Sequence, residues 1–83
     1  MVLVKAMKTT LAFAKTLKEF RQAKKISQER LADLCDLDRT YISLLERGKR
    51  NPSIEIVFSL AKGLGISPSV LIKNVEKKTH ENH

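Results

Sequence analysis

The feature that most constrains the fold of this chain is residues 27–51, SQERLADLCDLDRTYISLLERGKRN. Ser27 opens the segment as a helix cap, because its hydroxyl can accept a hydrogen bond from a free amide in the first helical turn. Glu29 strengthens this start, since a carboxylate complements the positive end of the helix dipole. The pattern predicts a short helix that ends at Leu34 or Cys35.

A second start signal follows almost at once. Asp38 can cap a helix from Arg39 to about Arg47, and Gly48 can end that helix in a left-handed backbone conformation. Residues 36–38, between the two helices, are too few for anything except a tight turn. The sequence therefore predicts a helix-turn-helix.

The second helix of this motif has two different faces. At about 100° per residue, Tyr41, Ile42 and Leu45 fall on one side. The opposite side carries donors, hydroxyls and one aliphatic residue, without an acid: Arg39, Thr40, Ser43, Leu44 and Arg47. Arginine can donate two hydrogen bonds to guanine, hydroxyls can reach bases or phosphates, and leucine can pack on a thymine methyl. This face suits the major groove of double-stranded DNA, and an ordinary solvated helix face is the alternative.

Length and charge agree with that interpretation. The chain has 83 residues, which predicts one small domain over 1–83, with a core over about 9–76 and terminal extensions at 1–8 and 77–83. A large enzymatic cleft is not expected in so small a domain. Sixteen Lys and Arg against nine Asp and Glu give a net charge of +7, which favours an acidic polymer as partner.

The sequence does not favour a membrane partner. No apolar run approaches the roughly 18–20 residues that span a bilayer. The N-terminal MVLVKAMK is too short in apolar residues for a secretory signal. We therefore expect a cytoplasmic protein.

We expect neither a cofactor nor a metal. Cys35 is the single cysteine, so it cannot form an intrachain disulfide, and its expected role is a small apolar core residue. His80 and His83 lie in the polar tail KKTHENH, where metal binding would be incidental.

Catalysis is not expected either. Asp33, Asp36 and Asp38 crowd one turn, but capping and solubility account for them. No histidine or lysine is placed nearby as a catalytic partner, and the sequence contains no glycine-rich loop for phosphates.

The rest of the chain predicts three more helices. Phe13, Leu17 and Phe20 recur at helical spacing within a first helix from Thr9 to Lys25. Two further helices are predicted over 54–64 and 68–76, capped by Ser53 and Ser67, with Pro68 at the first position of the last helix. The expected fold is all-α, with five helices and no strand.

The fourth helix is unusually apolar. Its expected core face and the residues beside that face are Ile54, Val57, Phe58, Leu60, Ala61 and Leu64. Ile56 lies away from this face, and a small domain rarely leaves such a residue in water beside other apolar side chains. Together with Val70, Leu71 and Ile72, it predicts a homodimer surface, and one scattered exposed isoleucine is the alternative.

With these residues in place, the chain resembles the lambda-repressor-like helix-turn-helix family, also called the Cro/CI or XRE family. The resemblance covers residues 13–72 and rests on SQERLA, LDRTYISLLERGKRNPS and LAKGLGIS. Within the family, the small size and the pair LDRTYIS and ERGKRN most resemble controller proteins of restriction–modification systems. The resemblance implies a five-helix fold and a homodimeric transcriptional regulator on a pseudo-palindromic operator. RNA polymerase is a candidate further partner. An antitoxin-type module and a phage-type repressor share the fold and stay open as alternatives.

The resemblance also implies roles for individual residues. The base-reading positions are Arg39, Thr40 and Ser43, and the positions that meet the DNA backbone or groove are Gln28, Tyr41, Arg50 and Asn51. Lys49, next to Arg50, is expected to meet a phosphate as well. Arg21 and Glu46 are expected to form an ion pair between the first helix and the end of the third.

Asp36 departs from the family pattern, because many members have glycine in this turn. Aspartate tolerates a left-handed backbone better than most residues, so the turn is expected to survive at some cost. Residues 1–8 lie outside the resemblance and receive no assignment.

Overall fold

The computed structural model describes the backbone of residues 2–81 and the side chains of residues 8–80. This part of the chain forms five helices and no strand, which confirms the all-α prediction. The helices are α1 (Val2–Ala23), α2 (Gln28–Cys35), α3 (Arg39–Glu46), α4 (Ile54–Leu64) and α5 (Pro68–Glu81). His83 lies outside the described residues, as do the side chains of residues 2–7.

The helix starts lie where the capping residues predict them. Ser27, Asp38 and Ser53 each have an extended backbone and accept a hydrogen bond from an amide in the first turn of α2, α3 and α4. The Ser67 hydroxyl likewise accepts a hydrogen bond from the Val70 amide in the first turn of α5, at 3.2 Å. Each cap satisfies one of the amides that a helix start leaves without an intrahelical partner.

The turn between α2 and α3 uses the left-handed conformation expected of Asp36, with φ 56° and ψ 45°. The Leu37 amide donates to the Ala32 carbonyl at 2.8 Å, which closes the end of α2. Gly48 follows α3 with φ 71°, as predicted for the residue that ends this helix. The three-residue turn fixes how α3 is set against α2.

Two helices are longer than predicted. α1 begins at Val2 rather than Thr9 because no glycine or proline precedes Gly48, and nothing in the sequence stops the helix from extending toward the N-terminus. It ends two residues early, at Ala23, since Lys25 turns into a left-handed conformation with φ 58°. α5 continues to Glu81 rather than Glu76, with Lys78 of its last turns paired to Glu19 of α1 at 2.7 Å.

One core joins all five helices. α1 packs along α5 and against α3, while α2 packs against α3 and α4. The largest fully buried apolar side chains are Leu17, Leu31, Ile42, Leu45, Leu60, Leu64 and Leu71. Cys35 is buried among them, as expected of a small apolar residue. Burial raises the pKa of the Cys35 thiol, and a hydrogen bond from the Gly63 backbone partly opposes this change.

The expected dimer residues are partly wrong. Leu71 has no exposed surface, because it faces inward from α5, so it belongs to the core and cannot meet a second chain. Ile56 is half-buried and packs against the core rather than standing away from it. Ile54 and Phe58, expected on or beside the core face, are instead 67% and 56% exposed. They lie beside the buried face of α4 and remain largely exposed to solvent.

Val70 and Ile72 are exposed, as a docking surface requires, at 41% and 44%. They lie on opposite flanks of α5, since two residues correspond to about 200° of helical rotation. A single surface of a partner therefore cannot cover both side chains.

Within the described residues, no single helix has the length and apolar character needed to cross a membrane. Only α4 and α5 taken together, as a pair bent by 107°, pass by length and composition. The same part of the chain contains no group of three or more His, Cys, Asp or Glu side chains that could hold a metal ion.

Candidate nucleic-acid interface

The outward face of α3 is held in place by its inward face. Ile42 and Leu45 are fully buried, and Tyr41 packs half-buried against the core. The residues on the other side are exposed or half-buried, as the helical wheel predicts: Arg39, Thr40, Ser43, Leu44 and Arg47. Two buried side chains thus fix the rotation of α3 and present hydroxyls and guanidinium groups to solvent.

Positive charge continues past the end of α3. Arg47 is exposed and its Nε donates to the Ser43 carbonyl at 3.4 Å, so its side chain runs back along the helix. Lys49 and Arg50 follow in the exposed loop. The acid at the start of α3, Asp38, is occupied in capping the Thr40 amide at 3.3 Å. The surface around α3 is therefore cationic, which suits a polyanion.

The expected pair of Arg21 and Glu46 is present and links α1 to the last residue of α3. Arg21 Nε lies 2.6 Å from Glu46 Oε2, and Arg21 Nη2 lies 3.0 Å from Oε1. Arg21 Nη1 donates to the Ile26 carbonyl at 2.8 Å, so the same side chain also holds the loop between α1 and α2 against α1. The hydrogen bond from Arg21 to Glu46, together with the negative charge of Glu46, raises the pKa of the Arg21 guanidinium. Burial partly opposes this change.

Gln28 makes a contact that the sequence does not predict. Its Nε2 donates to Glu46 Oε1 at 3.0 Å, so the buried carboxylate receives hydrogen bonds from both Arg21 and Gln28. The carboxamide nitrogen carries two hydrogens, so one remains for a phosphate. The sequence signal that could have indicated this contact is the helix-turn-helix itself, because this motif brings the start of α2 close to the end of α3.

Comparison with known proteins identifies the family of this fold. The helix-turn-helix family matches residues 17–71. Control protein C.BamHI of Bacillus amyloliquefaciens is 44% identical over 63 residues, covering 75% of this chain and 78% of that protein. The chain belongs to the helix-turn-helix controller-protein family.

Two solved controller proteins share its architecture. C.AhdI from Aeromonas hydrophila is 45% identical, with a TM-score of 0.73 over 75% of this chain and 94% of that one. The C.Esp1396I tetramer in complex with its natural 35 base-pair operator has a TM-score of 0.81 and 35% identity, covering 87% of this chain and 95% of that one. At these identities the likeness extends beyond the fold to the sequence itself.

In this member of the controller-protein family, α1 also contacts the loop after α3. Thr10 Oγ1 donates to Asn51 Oδ1 at 2.5 Å, between residues 41 positions apart in the chain. Leu11 lies over Gly48, where an added Cβ would stand 3.0 Å from Leu11 Cδ2. Neither contact is predictable from sequence patterns, because both depend on the position of α1 in the fold.

Proposed function

We propose that this controller-family chain is a sequence-specific transcriptional regulator that binds double-stranded DNA as a homodimer, on an operator with two-fold related half-sites. The observation that carries the proposal is the outward face of α3, fixed by buried Ile42 and Leu45 and free of acidic side chains. A rigid helix with this face fits the major groove, whose width admits one α-helix.

The base-reading role belongs to the first turns of α3. Arg39 can donate two hydrogen bonds to guanine O6 and N7, and the hydroxyls of Thr40 and Ser43 can reach neighbouring base edges or phosphates. Leu44, half-buried at the rim of this face, can pack on a thymine methyl.

The backbone-binding role belongs to residues that flank α3. Lys49 and Arg50 supply cations in the loop, and Arg47 lies at the helix end. Gln28 and Asn51 supply carboxamide donors from the start of α2 and from the loop. Phosphate contacts of this kind fix the register of the protein on DNA without reading sequence.

The homodimer is proposed through an apolar surface that differs from the one expected from sequence. Phe58, Ile66 and Pro68 line an open groove of about 450 Å³ between α4 and α5, with Ser59 and Lys62 at its polar side. Ile54 lies one turn before Phe58, and Ile72 lies one turn after Pro68, so both extend the same surface. A contiguous apolar surface of this kind on a small domain marks an interaction site.

The regulatory setting is proposed from the relatives. C.AhdI and C.Esp1396I are restriction–modification controller proteins, and the C.Esp1396I tetramer was solved in complex with its natural operator. DNA as the partner implies that the protein acts inside the cell, and RNA polymerase is a further partner where bound protein lies next to a promoter. Endonuclease and methyltransferase genes adjacent to this one would support this assignment.

Selection of duplexes from a random-sequence DNA pool tests the proposal. We expect one enriched motif with two-fold symmetry, whose half-sites are centred about one helical turn apart, roughly 34–36 Å. A scrambled version of the enriched sequence serves as the control. Equal recovery of all sequences would exclude a sequence-specific regulator.

A further inference from the structure

We propose that Thr10 is a positioning residue for DNA binding. Its hydroxyl holds the Asn51 carboxamide so that the amide nitrogen is turned toward a DNA phosphate. This inference rests on the proposed function, in which Asn51 contacts the DNA backbone.

The loop that carries Asn51 is anchored at its two ends by hydrogen bonds of the neighbouring helices. At one end, the Lys49 amide donates to the Leu44 carbonyl at 2.9 Å, which completes the termination of α3. At the other end, Ser53 caps α4 through the Ile56 amide at 3.1 Å. Asn51 lies between these anchors and is exposed.

One turn of α1 supports this loop from outside. Thr10 reaches Asn51 with its hydroxyl, and the neighbouring Leu11 covers Gly48. Ala14, one turn further, is buried on the same side of α1, with its Cβ 4.0 Å from the position of a Cβ on Gly48. The contact between Thr10 and Asn51 is thus part of a packed surface between α1 and the loop.

The chemistry of the carboxamide makes its orientation matter. A phosphate oxygen only accepts hydrogen bonds, so Asn51 can bind it through Nδ2 and not through Oδ1. Rotation about the last side-chain bond of asparagine is broad and roughly two-fold, so an unsupported carboxamide populates both orientations. By donating to Oδ1, Thr10 turns this oxygen toward α1 and leaves Nδ2 on the side away from α1.

The expected size of the effect follows from the orientations that Thr10 excludes. Two carboxamide orientations combined with three side-chain rotamers give about six states, of which one is competent. Since apparent affinity scales with the competent fraction, losing the hydroxyl should weaken binding by about two- to six-fold. The contact is exposed, so the stability of the free protein should change little.

Thr10 also lies outside the part of the chain that the helix-turn-helix family matches, residues 17–71. The positioning role therefore assigns a function to the N-terminal half of α1, which the recognition motif itself does not contain.

The test measures the affinity of the full chain for a duplex enriched by the wild-type protein. The variants are Thr10→Val, Thr10→Ser, Asn51→Ala and the double change Thr10→Val with Asn51→Ala. Thr79→Val is the matched control, because the Thr79 hydroxyl donates to the Glu76 carbonyl on α5, away from the loop. Urea unfolding of each variant without DNA checks that the fold is intact.

We expect Thr10→Val to weaken binding about two- to six-fold, Thr10→Ser to restore most of it, and Thr10→Val to have no effect once Asn51 is alanine. If Thr10→Val binds with wild-type affinity while Asn51→Ala binds more weakly, the inference is wrong and the proposed function stands. An equal loss from Thr10→Val in both backgrounds would overturn it as well. Wild-type affinity for Asn51→Ala would overturn both the inference and the DNA contact assigned to Asn51.

Discussion

Glu46 concentrates three hydrogen bonds on one carboxylate whose side chain is 3% exposed. Arg21 supplies two of them and Gln28 the third. A buried carboxylate without such donors would be unfavourable, because the low-dielectric interior does not replace its hydration. Removal of either partner should therefore leave a charge that the fold cannot satisfy.

We expect Arg21→Met and Glu46→Gln each to lower the free energy of unfolding by about 1–3 kcal/mol, between the values of exposed and fully buried pairs. The double variant Arg21→Met with Glu46→Gln should lose less than the sum of the single losses. Urea denaturation in a double-mutant cycle measures this coupling.

The more exposed pair of Lys78 and Glu19 provides the control. Glu19 is 63% exposed in its side chain, so Glu19→Ala should cost less than about 1 kcal/mol. A coupling between Arg21 and Glu46 no larger than that between Lys78 and Glu19 would contradict the structural role of Glu46.

Arg39 carries the prediction about sequence specificity. If Arg39 donates two hydrogen bonds to guanine, Arg39→Ala should lose about 1–3 kcal/mol on the enriched duplex and much less on random DNA. Lys49→Ala, which removes a proposed phosphate contact, should weaken both kinds of binding and reduce their dependence on salt. Fluorescence anisotropy over a salt series separates the two patterns, and an equal loss on both duplexes for Arg39→Ala would exclude base reading.

At the scale of the helices, the absence of a side chain on Gly63 lets α4 pack directly on the end of α2. A Cβ on Gly63 would stand 2.4 Å from Cys35 Sγ and 3.5 Å from the Leu34 Cβ. Gly63 lies within α4, where glycine by propensity alone is less favourable than alanine by about 1 kcal/mol. The contact with α2 is therefore the reason for glycine at this position.

We expect Gly63→Ala to destabilise the protein by about 1–3 kcal/mol, as overpacking does, despite the gain in helix propensity. In a Cys35→Ala background the sulfur is absent, so the same substitution should be neutral or stabilising. Thermal unfolding of the wild type, Gly63→Ala, Cys35→Ala and the double variant measures how the effect of Gly63→Ala changes between the two backgrounds. A stabilising effect of Gly63→Ala in the wild-type background would show that the two helices separate at little cost.

At the scale of the whole molecule, the proposed dimer surface is the feature that differs most from the sequence-based prediction. Phe58→Glu should shift the protein toward monomer and reduce affinity for a two-half-site duplex, while helix content stays intact. Val70→Glu is the matched control, since Val70 is exposed on the opposite flank of α5. Sedimentation at micromolar concentration measures the assembly state. A monomeric wild type, or dimer loss from Val70→Glu alone, would exclude the surface around Phe58.

The sequence by itself determined the local structure. Ser27, Asp38 and Ser53 start helices, and Gly48 ends one, because capping and left-handed conformations depend on the residue and its immediate neighbours. The two faces of α3 follow in the same way from helical periodicity. Family motifs added the pair of Arg21 and Glu46.

The tertiary structure alone decided which apolar side chains the five helices cover. Leu71, Ile56 and Phe58 have similar sequence surroundings, yet one is buried, one is half-buried and one is exposed. The contacts of Thr10 with Asn51 and of Gln28 with Glu46 likewise join residues far apart in the chain. Such contacts depend on how helices are placed around a shared core, which periodicity and capping do not encode.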